Sequence, residues 1–237
     1  MNRLALILLR NITKLPGAYA KLRRYANHPE TYPETEKWQH IQYIMKLAAN
    51  SANVDLQVFG KENLPRDGGF MLYGNHQGMF DVVAIAASCD IPLAIVYKKE
   101  LRNVPLLTEI YRCTNSFAMD REDVRQSLTV IQAVTKQVQS GRSYVIFPEG
   151  TRSKKGNEMN EFHGGSFRCA IKAKCPIVPM AFINSFKVLD QKGSDPVTVQ
   201  LHYLKPISYE EYKDLKTVEL AALVKGRIQK VIDSCVL

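Results

Sequence analysis

From Val54 onward, short apolar runs alternate with longer stretches whose apolar positions recur every three or four residues. The runs Val54–Phe59, Phe70–Tyr73, Leu93–Val96, Ser116–Met119, Tyr144–Phe147, Ile177–Phe182 and Val197–Tyr203 have strand length. Where such a run is apolar throughout, it fits a strand covered on both faces. The longer patterns predict helices over Phe80–Ala87, Pro105–Tyr111, Asp123–Gln139, Ser166–Ala173 and Thr217–Val236. Breaks fall at 65–69, 139–142 and 192–196, where glycine or proline sits among polar residues. Such alternation predicts an α/β fold, a mixed sheet layered with helices on both faces.

Residues 1–50 follow another pattern. At ~100° per residue, Leu4, Leu8, Ile12 and Leu15 share one helical face, with Arg3, Arg10 and Lys14 almost opposite. Up to Arg24 there are six basic residues (Arg3, Arg10, Lys14, Lys21, Arg23, Arg24) and no acidic one. One-signed charge opposite an apolar stripe is the pattern of a helix lying in a membrane interface. Pro16-Gly17 is expected to end it. A second helix is expected after Pro33, with Trp38, Ile41, Met45 and Ala48 on one face and Trp38 at headgroup depth. The plainer alternative is that both stripes pack on the main domain. The chain thus divides into residues 1–50, an N-terminal amphipathic helical segment for membrane docking, and residues 51–237, the α/β domain.

Lys and Arg outnumber Asp and Glu by 32 to 23, a net charge of +9. This favours a polyanionic partner: nucleic acid, an anionic membrane surface or an acidic carrier protein. No nucleic-acid-binding motif occurs, and the N-terminal stripe suits lipid, so a membrane surface is expected and nucleic acid is not. The five cysteines are odd in number and form no Cys-x-x-Cys pair, which argues against a disulfide framework and a zinc site. They suit a reducing cytosol. No stretch approaches the ~20 apolar residues that span a bilayer. The apolar run 4–9 is cut short by Arg10 and Asn11 with no clean cleavage site after it, which argues against a signal peptide.

Two strings carry the chemistry. Asn75-His76-Gln77-Gly78-Met79-Phe80-Asp81 follows one predicted strand and Phe147-Pro148-Glu149-Gly150-Thr151-Arg152-Ser153 another. Reactive groups in open α/β sheets gather beyond strand ends, so the strings can meet if both strands end on one side. On a continuous helix, His76 and Asp81 would lie ~140° apart. His76 must therefore sit in the turn, with Asp81 on the first turn of the next helix and Gly78 easing the bend. Asp81 can then bond one ring nitrogen and leave the other to take a proton from a hydroxyl. No Gly-x-Ser-x-Gly elbow occurs, and Gly164-Gly165-Ser166 is a poor substitute. The simplest scheme therefore has no covalent acyl-enzyme: the acceptor's own hydroxyl attacks a thioester. In the second string, Glu149 and Arg152 can grip polar groups of an acceptor, and amides near Gly150 can hold a phosphate or oxyanion. Arg121 follows the predicted strand 116–119, where a guanidinium can clamp a phosphate. Cys175–Ala181 carries two prolines around a buried strand.

The order of these strings resembles the glycerolipid acyltransferases, specifically the bacterial 1-acyl-sn-glycerol-3-phosphate acyltransferases, over roughly Val54 to Pro206. That family carries Asn-His-x4-Asp, a strand ending in Asp-Arg, Phe-Pro-Glu-Gly-Thr-Arg-Ser, and a hydrophobic strand around Val-Pro. The resemblance implies His76 as general base and Asp81 as its partner. It implies an acceptor site of Arg121, Glu149, Gly150, Thr151 and Arg152, with His163 standing where the family has a lysine. It implies lysophosphatidate as acceptor, acyl-carrier protein or acyl-CoA as donor, no metal or other cofactor, and a peripheral or monotopic place on the cytoplasmic side of the cell membrane. Another lysophospholipid or glycerol 3-phosphate is the alternative acceptor. A non-catalytic lipid-binding protein on the same scaffold is the alternative of another class.

Overall fold

The computed structural model describes residues 3–236; residues 1, 2 and 237 of the two expected ranges lie outside it. Seven strands form one sheet: β1 (Val54–Phe59), β2 (Met71–Gly74), β3 (Leu93–Lys98), β4 (Phe117–Met119), β5 (Ser143–Ile146), β6 (Ile177–Ile183) and β7 (Val197–Tyr203). Their order is β1-β7-β6-β2-β5-β3-β4. Every neighbouring pair is parallel except β6 and β7, so β1 and β7 run against the other five. All seven expected strands are present, and the sheet is mixed as expected.

The helices are α1 (Arg3–Arg10), α2 (Leu15–Asn27), α3 (Glu34–Ser51), α4 (Phe80–Ser88), α5 (Leu107–Thr114), α6 (Val124–Gln139), α7 (Arg168–Ala173), α8 (Phe186–Leu189), α9 (Tyr209–Tyr212) and α10 (Thr217–Val236). Strand side chains alternate between two layers, as a period of two requires. On one face Leu72, Val145, Val178, Met180 and Phe182 pack with residues of α2, α3, α4 and α5. On the other Met71, Tyr73, Tyr144, Ile177 and Ala181 pack with α6, α7 and α10. Central strands buried on both sides explain the near-continuous apolar runs.

The N-terminal segment departs from expectation in three places. Pro16 opens α2 rather than ending α1, because a proline in the first helical turn has no N–H that the helix needs. Helix α1 stops earlier, where the buried Asn11 side chain donates to the Ile7 carbonyl at 2.8 Å and to Ser51 Oγ at 2.7 Å. Trp38 is not at headgroup depth; it is 5% exposed in the core, and its indole N–H and the Gln42 amide both donate to the Cys89 carbonyl, at 2.9 and 2.7 Å. The α3 stripe serves the core, capping the end of α4. Arg3 is also buried, donating to the carbonyls of Lys187, Val188 and Asp195 at 2.7, 3.4 and 2.6 Å. Arg10 bonds the Ser51 carbonyl and Asn53 Oδ1. These two cations bind protein, while Leu4, Leu8, Leu9 and Ile12 stand exposed. Among the described residues no helix is long and apolar enough to cross a membrane.

Candidate active site

The sheet order places the two strings side by side. Strand β2 lies between β5 and β6, with Tyr73 opposite Ile146 and Gly74 opposite Met180. Asn75-His76 and Phe147-Pro148 therefore leave adjacent parallel strands at the same end. The loops are joined directly: the Ser153 amide donates to the His76 carbonyl at 2.9 Å, and the His76 amide to Glu149 Oε1 at 2.7 Å.

His76 sits in the turn and Asp81 on the first turn of α4. His76 Nδ1 lies 2.8 Å from Asp81 Oδ2, and Asp81 is fully buried. The same oxygen accepts the amides of Gln77 at 2.7 Å and Gly78 at 3.0 Å. An ionised carboxylate only accepts, so Nδ1 is the donor in this bond, and in the neutral ring Nε2 is the nitrogen with the lone pair. The ring stacks on Phe147, centroids 4.2 Å apart and planes 21° from parallel, with 21% of the side chain exposed. It is thus held in orientation on one edge and one face and is open to an incoming hydroxyl. No serine among the described residues bonds the ring.

Glu149 faces inward. It is 2% exposed, Oε1 takes the His76 amide, and Oε2 takes the Asn160 amide at 2.9 Å. Burial raises its pKa, opposed by those two amides. It holds the loop that carries His76 and offers no oxygen to solvent. The Gly150 amide closes a turn onto the Phe147 carbonyl at 3.1 Å, so it is not an available anion donor. Gly150 itself has φ +72°, and a Cβ there would lie 3.3 Å from His163 Cδ2 and 3.8 Å from Arg121 Nη1. Arg121 and His163, distant in sequence, thus flank this glycine. Both are exposed, as is Thr151, and desolvation of its guanidinium lowers the Arg121 pKa. Arg152 Nη1 is paired with Asp190 Oδ1.

Three contributors had no role assigned from the sequence, although two of them lie in the histidine string. Asn75 bonds both backbone groups of Phe182, donating to the carbonyl at 3.0 Å and accepting the amide at 2.7 Å. Gln77 donates to the Phe182 carbonyl and to Asn157 Oδ1, both at 2.9 Å, and accepts the Ser185 amide at 2.9 Å. These bonds brace the histidine turn on the end of β6, the strand of the two prolines. Asp190 is the third. The cysteines take no part: Cys89, Cys113, Cys169 and Cys175 are buried, and burial raises their thiols to about 12, 11, 11 and 12.

The sequence matches the acyltransferase family over residues 55–183. It is similar to the 1-acyl-sn-glycerol-3-phosphate acyltransferase of Bacillus subtilis, 30% identical, over 79% of this chain and 95% of that one. It is similar to the Salmonella typhimurium protein of the same name, 30% identical, over 70% of this chain and 67% of that one. In fold it is similar to the crystal structure of the 1-acyl-sn-glycerophosphate (LPA) acyltransferase PlsC from Thermotoga maritima, with a TM-score of 0.79, 21% identity, and 98% and 97% of the two chains covered.

Proposed function

The chain belongs to the acyltransferase family, and from that premise we propose that it moves an acyl group from a thioester to the 2-hydroxyl of 1-acyl-glycerol-3-phosphate, giving phosphatidic acid. The donor is an acyl-CoA or acyl-carrier protein thioester. His76 Nε2 takes the hydroxyl proton as the acceptor oxygen attacks the thioester carbonyl. The tetrahedral intermediate collapses with loss of the C–S bond, and the imidazolium returns the proton to the leaving thiolate. Asp81 stabilises the imidazolium between these steps. Arg152, Arg121, His163 and Thr151 hold the acceptor phosphate around Gly150. The observation that carries this reading is the 2.8 Å His76–Asp81 bond, in a turn joined through Ser153 and Glu149 to the arginine-bearing loop. The test is to incubate purified protein with lysophosphatidate and each thioester, following thiol release and phosphatidic acid. The reading fails if neither donor yields phosphatidic acid, or if glycerol 3-phosphate or another lysophospholipid turns over faster.

Arg121→Ala and Arg152→Ala are each expected to raise the acceptor KM about 10–100-fold, the scale of a lost hydrogen bond to a charged group. The donor KM should change little. Separate saturation curves for the two substrates check this, and equal effects on both would reassign the arginines.

The bilayer covers the exposed apolar row in this reading. Leu8, Leu9, Ile12 and Leu15 line a groove with Pro105 and Leu106 that is almost wholly apolar. Lys14, Lys21, Arg23 and Arg24 are exposed nearby in sequence, and each contributes about 1 kcal/mol of attraction near an anionic surface. Contact area and charge together hold a protein that neither holds alone. Replacing Leu8 and Ile12 with serine should reduce sedimentation with anionic vesicles at least about tenfold, since a fully buried side chain of this size contributes ~1.5–3 kcal/mol. Turnover of a short-chain, water-soluble acceptor should be spared. Unchanged sedimentation would move the docking face elsewhere.

A further inference from the structure

Asp190 lies just beyond α8 and outside all four strings, yet its carboxylate reaches both halves of the site. Oδ1 pairs with Arg152 Nη1. Oδ2 accepts the Met79 amide at 2.8 Å, one residue before α4 begins and two before Asp81. The approach is close: a Cβ on Gly78 would lie 2.4 Å from Asp190 Oδ2 and 3.2 Å from Phe186 Cα. Only glycine at 78 lets the turn and this carboxylate meet. The segment bearing Asp190 is held at both ends. The Ser185 amide donates to Gln77 at 2.9 Å before α8, and Arg3 takes the Lys187, Val188 and Asp195 carbonyls in and after it.

We infer that Asp190 is a positioning residue for the acceptor site, fixing the Arg152 guanidinium on one oxygen and the start of α4 on the other. The inference rests on the reading of Arg152 as a phosphate ligand. A guanidinium is a planar fork with more than one edge. Asp190 takes Nη1, and Nε and Nη2 have no partner among the described residues. The edge left over can meet a phosphate bidentately. A guanidinium already held loses less rotamer entropy when the phosphate arrives. The bond to Met79 ties that held arginine to the helix that carries Asp81, so the phosphate and the reacting hydroxyl are referred to one frame.

The test is a double-mutant cycle of Asp190→Asn with Arg152→Ala, measuring KM for lysophosphatidate and for the acyl thioester together with kcat. Asparagine keeps an oxygen for the Met79 amide and removes the charge beside Arg152. Asp190→Asn should raise the acceptor KM about 3–10-fold and leave the donor KM within about twofold, the signature of an effect passed through one neighbour. In the Arg152→Ala background it should change the acceptor KM less than about twofold. Asp190→Glu, which restores the charge, should recover most of the affinity. An unchanged or lowered acceptor KM in Asp190→Asn, or its full effect persisting without Arg152, overturns the inference. So does loss of the folding transition in Asp190→Asn, which would make the role structural. If Arg152→Ala alone leaves the acceptor KM unchanged, the phosphate reading fails first, and the cycle shows which of the two has failed.

Discussion

Replacing His76 with alanine is expected to lower turnover at saturating substrate by about 10²–10⁴, the usual contribution of a positioned general base. That is about 3–5 kcal/mol of barrier. With Nδ1 occupied by Asp81, Nε2 is the ring nitrogen left for a substrate proton. Without it the acceptor hydroxyl must lose its proton to water. Folding should survive. The ring stacks on Phe147, but 21% of the side chain is exposed, and the loop is held by backbone bonds to Glu149 and Ser153 that alanine keeps. The measurement is kcat with both substrates saturating, beside a thermal unfolding midpoint. A loss of less than tenfold with an unchanged midpoint would remove His76 from the role of base.

Asp81→Asn should come close to the same loss, about 10²–10³ in kcat, because Asp81 serves the same proton transfer through His76. Two things change. If the amide oxygen faces Nδ1, the tautomer is kept but the imidazolium formed in the reaction loses its counter-charge. If the amide nitrogen faces it, Nδ1 must accept, and Nε2 becomes a donor unable to take the proton. Both lower kcat and leave the acceptor KM nearly unmoved. With the amide oxygen in the place of Oδ2, the Gln77 and Gly78 amides keep their acceptor and stability should fall modestly; with the amide nitrogen there, both lose it and the fall is larger. Asp81→Ala is the contrasting case. It strands those buried donors, at about 1–3 kcal/mol for each group left unsatisfied. Turnover in Asp81→Asn above a tenth of the parent's would confine Asp81 to holding the turn together.

The arrangement also explains why a carboxylic acid as buried as Glu149 is tolerated. Both of its oxygens are satisfied by amides, so the cost of desolvation, visible as its raised pKa, is partly offset where it stands. The two strings are thereby one structure: the acid of the second holds the backbone of the histidine in the first.

What can be read along the chain is local. The central strands β2, β5 and β6 were legible because a strand buried on both faces has to be apolar throughout, whatever covers it. The turn at His76 was legible because a separation of five cannot join His76 to Asp81 on one continuous helix. The meeting of the two strings followed once β2 and β5 were neighbours, and that neighbourhood was a conditional in the sequence and a fact only in the sheet. The tertiary structure decided the rest, because an amphipathic period says that a stripe is covered and not by what. The Trp38 stripe met the core and the Leu4–Leu8–Ile12 row did not, although both have helical spacing. Arg3 and Arg10, read as headgroup cations, found carbonyls of the protein instead; for Arg3 the reason is burial, since a buried guanidinium needs acceptors and the fold supplied them. Glu149 turned inward for the same kind of reason. Asp190 was beyond reach of any pattern: its bond to Met79 spans 111 positions, and no period along the chain records which carboxylate a distant turn will close upon.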